Sequence, residues 1–107
     1  MQAGNEAMLL VRAELCERLD SLQALSRRLS TRELTASVDA IRSLAAAYGL
    51  TPVVRLAEAL ERAMFENERA CPTALYLSRL HDAIGCERLD EQASQAMLAS
   101  VSVRLGA

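Results

Sequence analysis

The residues able to do chemistry in this chain are few and far apart. There is one histidine, His81, and there are three cysteines, Cys16, Cys71 and Cys86. A structural zinc site needs about four ligands at close spacing, and no Cys-x-x-Cys pair or second histidine stands near any of these. An odd number of widely separated thiols reads as buried or idle cysteine in a reducing cytoplasm. The acidic residues are spread as helix-surface charge rather than as paired carboxylates, and no Gly-rich phosphate loop or nucleophile–base pair is present. An enzyme, a metal site and a bound cofactor are therefore not expected. His81 sits in "LHDAIGCERL", where one histidine on a helix reads as surface or boundary decoration. What remains is Asp39, in the stretch "DAIRSLAAAYGLTPVVRLAEALE" from Asp39 to Glu61.

The elements that must position Asp39 are helices. Of the 107 residues, 51% are hydrophobic and only 3% aromatic, with four Gly and two Pro. Such a chain builds its core from Leu, Ala, Val, Ile and Met and favours an all-helical fold. A first helix is expected from about Glu6 to Leu29, with Met8, Val11, Leu15, Leu19, Leu22, Leu25 and Leu29 as its apolar stripe. Ser30, with Glu33 three residues on, forms a capping box for a second helix. That helix buries Leu34, Val38, Ile41, Leu44, Ala45 and Tyr48 and ends at Gly49, a left-handed cap. Thr51 as N-cap and Pro52 at the first helical position start a third helix. It buries Val53, Leu56, Ala57, Leu60, Ala63 and Met64, then leads into the loop "ENERACP". A fourth helix, "PTALYLSRLHDAI", carries Leu77, Leu80 and Ile84 and stops at Gly85. A fifth runs from near Leu89 or Asp90 to about Leu105, with Ala93, Met97, Val101 and Leu105 or their neighbours inward. Short connections between amphipathic helices imply one domain over residues 1–107: an antiparallel up-and-down bundle of four core helices in five helical segments.

On a wheel of about 100° per residue, Val38, Ile41, Ala45 and Tyr48 fall within about 40° of Leu34, whereas Asp39 lies about 140° away. Beside Asp39 lie Arg32, Thr35, Ser43 and Ala46, with Arg42 at the margin. This outer face is polar yet built largely from small side chains. Small residues around one projecting polar group allow another protein's backbone or loops to come close.

The same residues resemble the signature of the histidine phosphotransfer (HPt) domain family. Its members are helical bundles that exchange phosphoryl groups with the Asp of response-regulator receiver domains. Counting ten residues back from Gly49 places Asp39 at the family's histidine. Ile41 then matches its aliphatic residue, Arg42 its Lys, Ser43 its first Gly and Ala45 its small residue. Val53, Leu56, Ala57, Leu60 and Glu61 fall where the family has Leu, Leu, a small residue, Leu and Glu. The match covers the second and third helices; elsewhere it extends only to bundle architecture. The resemblance implies an HPt-like signalling protein of a two-component phosphorelay. Its partner would be a receiver domain or a histidine kinase, docking on Arg32, Thr35, Asp39, Arg42, Ser43 and Ala46. The departure is at the reacting atom. Relay through this scaffold needs a neutral imidazole nitrogen as nucleophile, and Asp39 offers a carboxylate. Arg42 replaces the charge of Lys but not its geometry, and Ser43 fills space that Gly leaves open. The implied protein is a non-phosphorylatable adaptor or regulator.

Two other classes compete. "SLAAAYGLTPVVRLAEAL" has the spacing of a helix-turn-helix DNA binder. However, Arg55 and Glu58 occupy the inner positions of its second helix, and Glu58, Glu61 and Glu66 would repel phosphates. A net charge of −2 also argues against nucleic acid. The other class is a structural helical module, dimerising through the first helix, which leaves a homodimer open. No run approaches the roughly 18 apolar residues of a membrane span, and the first residues lack a basic leader, so a cytoplasmic protein is expected.

Overall fold

The computed structural model describes residues 2–66, 71–85 and 91–104. Its regular structure is wholly helical: α1 Gln2–Leu25, α2 Thr31–Ala47, α3 Thr51–Glu66, α4 Thr73–Ile84 and α5 Glu91–Arg104. No described helix is long and apolar enough to cross a membrane.

Helix α1 buries Val11, Leu15, Leu19 and Leu22, as the stripe requires. It ends a turn earlier than the periodicity predicts. The N–H groups of Arg28 and Leu29 both donate to the Leu25 carbonyl, at 2.8 and 3.1 Å, and the Ser26 hydroxyl donates back to the Gln23 carbonyl at 3.4 Å. This local bonding tightens and closes the helix. Leu25 is consequently exposed rather than inward, while Leu29 packs half-buried against the core.

Helix α2 opens on the expected reciprocal cap. Ser30 Oγ accepts the Glu33 N–H at 3.1 Å, and Glu33 Oε1 accepts the Ser30 N–H at 3.0 Å. At its other end Gly49 takes φ +72°. The N–H of Gly49 reaches the Ala46 carbonyl at 3.2 Å, and that of Leu50 reaches the Ala45 carbonyl at 3.0 Å. These two bonds satisfy otherwise orphaned carbonyls in a Schellman turn. The restart corrects the sequence expectation by one residue. The Leu50 carbonyl accepts the Val54 N–H at 3.1 Å, so Leu50 caps α3 and Thr51 is its first helical residue. Leu50 is fully buried, and Pro52 beside it is buried too. Tyr48, expected inward, is exposed: the cap residue has left helical geometry, at φ −114° and ψ 11°, and rotates off the apolar stripe.

Helix α3 is the hub. It packs against α2, α4 and α5, while α1 packs against α2 and α4, so α1 to α4 close into a ring with α5 on its α3–α4 side. Arg42 of α2 pairs with Glu61 of α3, which matches a late position of one helix with a late position of the next across the Gly49 turn. Asp20 of α1 lies 3.7 Å from His81 of α4. The shared core contains Leu15, Ile41, Leu56, Leu60, Leu77 and Leu80, each such side chain worth roughly 1.5–3 kcal/mol on burial. Helix α4 adds buried Tyr76, Ala83 and Ile84. Helix α5 buries Val101 and Ser94, with Met97 and Leu98 half-buried. Leu89, Asp90, Leu105 and Cys86, together with the Ala93 side chain, lie outside the described residues.

Candidate docking face on the second and third helices

The buried stripe of α2 is Leu34, Val38, Ile41 and Ala45, and it fixes what the opposite side presents. Arg32, Ser43 and Ala46 are exposed, and Thr35 is half-buried at the edge toward α3. Asp39 is half-exposed, its side chain 50% accessible, and it forms an ion pair with Arg42 one turn along the helix. Arg42 also reaches across to α3, where its Nε donates to Glu61 Oε1 at 2.9 Å. The Arg42 side chain is 32% exposed and that of Glu61 24%. Asp39, Arg42 and Glu61 are thus one cluster at the α2/α3 seam, two carboxylates sharing one cation. The bond from Asp39 and the charge of Glu61 raise the pKa of the Arg42 guanidinium. Glu61 and Asp39 thus engage two of the five N–H donors of the guanidinium within the protein.

The sequence marks Glu61 as a matching position and as a charge that would repel phosphate, but does not place it in the docking face. The Gly49 turn lies 7 residues after Arg42 and 12 before Glu61, so hairpin register alone did not predict their contact, which the packing of α2 on α3 creates. Phe65 was missed altogether. It lies one turn beyond Glu61, is 93% exposed, and shares a surface depression with Thr31, Thr35, Glu61 and Met64. Thr35 and Glu61 therefore join the depression to the Asp39 cluster. Another ion pair on α3, Arg55 with Glu58 at 3.1 Å, stands at the positions a helix-turn-helix would need inward.

His81 is exposed on α4 beside Asp20, away from the α2/α3 seam. Cys16 lines the same α1/α4 hollow as His81; burial, and secondarily Asp20, push its thiol pKa up, the direction that suppresses the reactive thiolate. Cys16 and Cys71 are both free and half-buried. Among the described residues no group of three His, Cys, Asp or Glu side chains could hold a metal ion. The chain matches no protein-family model, no curated protein and no solved structure.

Proposed function

We propose that the protein is an HPt-like adaptor of a two-component phosphorelay, an antiparallel four-helix core that docks a response-regulator receiver domain or a histidine kinase without itself carrying phosphate. The observation that supports this most is the outer face of α2. It is exposed at Arg32, Ser43 and Ala46 and carries the small residues Thr35, Ser43 and Ala46, and its central projecting group, at the position of the family's histidine, is a half-exposed carboxylate paired with Arg42. Such a face can be approached closely but has no imidazole to attack a phosphoryl group. Docking uses Arg32, Thr35, Asp39, Arg42, Ser43 and Ala46; His81, on another side of the ring, takes no part.

The test is phosphotransfer and binding with a panel of phosphorylated receiver domains and histidine kinases. The wild type should bind without becoming labelled, and Asp39→His combined with Ser43→Gly should acquire label. Labelling of the wild type that vanishes in His81→Ala would overturn the assignment of the face. Absence of binding to every member of the panel would overturn the docking reading.

A second reading has its own observation. Leu9 and Leu10 are both largely exposed near the start of α1, which favours a helical module self-associating through that helix. Sedimentation of the wild type against Leu9→Ser/Leu10→Ser separates the two: a concentration-dependent dimer lost in the variant supports the module.

A further inference from the structure

The seam between α1 and α2 carries two shallow apolar depressions end to end. At one end Ala7 and Leu10 of α1 adjoin Leu44 and Tyr48 of α2. At the other, Ser21 and Leu25, with Leu29 just beyond α1, adjoin Ala36 and Ala40. Leu10 is 71% exposed, Tyr48 and Leu25 45% each, so large apolar side chains stand at both ends among small ones. Glu14 lines the first depression and Arg18 the second. Their ion pair, at 2.8 Å and with both side chains about half exposed, marks where the two meet. A single exposed apolar residue means little, whereas a connected run along two helices is what an interface presents. The seam lies on the opposite flank of α2 from Arg42, apart from the α2/α3 face.

Charge and area indicate what covers it. Glu14 and Arg18 stand one turn apart, symmetrically about the middle of the run from Ala7 to Leu25. A two-fold axis crossing α1 at the level of Cys16 would lay a second α1 antiparallel on the first. That operation sets each Glu14 against Arg18 of the second copy, and in the same register Leu25 falls over Ala7 and Leu10 beside Ser21, large onto small. From Ala7 to Leu25 the helix rises about 27 Å, and two helices side by side are about 20 Å wide. The footprint over two copies is then about 1,100 Å², which clears the roughly 1,000 Å² that a specific interface needs.

We infer that the α1/α2 seam is a homodimer interface, in which a second copy of this chain packs α1 antiparallel on α1 about a two-fold axis, Glu14 of each copy pairing with Arg18 of the other. The inference rests on the second reading above, self-association through α1, and adds to it the flank and the symmetry. Leu9, though exposed, lies about 100° round the helix from Leu10, on the flank of Cys16 that faces α4, and takes no part.

Sedimentation of the whole chain over about 1–100 μM, where interfaces of this size begin to associate, gives the monomer–dimer constant. The wild type should dimerise. Leu10→Ser and Leu25→Ser should each weaken the dimer at least about 30-fold, because one substitution strips two contacts from a symmetric interface. Leu9→Ser should change it less than about 3-fold. Glu14→Arg and Arg18→Glu, each alone, gather four like charges at the axis and should weaken it about 10-fold; Glu14→Arg combined with Arg18→Glu should restore it. All these positions are exposed, and circular dichroism should show the wild-type helix content in every variant. A wild type that stays monomeric would remove both the interface and the reading it rests on. A dimer lost in Leu9→Ser but kept in Leu10→Ser and Leu25→Ser would retain self-association through α1 and overturn this flank. Single reversals without effect would overturn the two-fold register. A receiver domain that binds a monomeric wild type but not Leu10→Ser would make another protein the occupant and overturn the second copy.

Discussion

The pairing of Arg42 with Glu61 makes a quantitative claim about what joins α2 to α3. Two unit charges about 4 Å apart attract by about 4 kcal/mol at an effective dielectric of about 20, which is a ceiling. Arg42 and Glu61 are 32% and 24% exposed, so solvent screens them, and holding both side chains costs rotamer entropy. The net coupling should fall to about 0.5–1 kcal/mol, at the upper end for partly exposed pairs. The perturbation is a double-mutant cycle of Arg42→Ala, Glu61→Ala and the pair, read by urea unfolding. Arg42→Ala should be the costlier single change, because it also leaves Asp39 and Glu61 as unneutralised neighbours. Repeating the cycle near 1 M salt, where the screening length is about 3 Å, should roughly halve the coupling. A coupling indistinguishable from zero at low salt would refute the claim that this pair ties the two helices together. A coupling unmoved by salt would refute its ionic origin.

Other outcomes follow from single residues. Leu60 is fully buried at the hub helix, and Leu60→Ala should cost about 2–5 kcal/mol in urea unfolding. Gly49→Ala should cost about 1–2 kcal/mol from the left-handed backbone alone, since a Cβ there meets nothing within 4 Å; Gly49→Asn should recover part of that loss. The Ser30 N–H, and then its hydroxyl, lower the pKa of the Glu33 carboxyl, so the folded state holds that proton less tightly than the unfolded chain. Its contribution is complete above the unfolded glutamate value of about 4.3 and is lost as pH falls through the lower folded value. Glu33→Gln should therefore flatten the acid limb of a stability profile over that window.

The α2/α3 hairpin was legible in the sequence because its signals are local. Ser30 with Glu33 and the lone Gly49 each fix a helix end through backbone chemistry within a few residues. The end of α1 was not legible, because Leu25 and Leu29 continue the period while Ser26 and the Leu25 carbonyl close the helix. The burial of Leu50 and the exposure of Tyr48 share one cause: a Schellman turn reverses which neighbour of the glycine faces inward, and a helical wheel does not represent a turn. Of the face, the wheel placed Asp39 outward. It could not show that Arg42 is held from α3 by Glu61, or that Phe65 stands beside them, because both facts depend on how two helices pack.

The three-residue link between α2 and α3 also bears on the order of assembly. Arg42 and Glu61 meet across a separation of 19 residues, and closing a segment that short is fast and entropically mild. Asp20 and His81, which bring α1 onto α4, can meet only after most of the chain between them has compacted. The hairpin should therefore form the nucleus of the folding transition state and α1–α4 docking should come late. Substitutions at Leu56 or Gly49 would then slow refolding, while those at Leu19 would mainly speed unfolding.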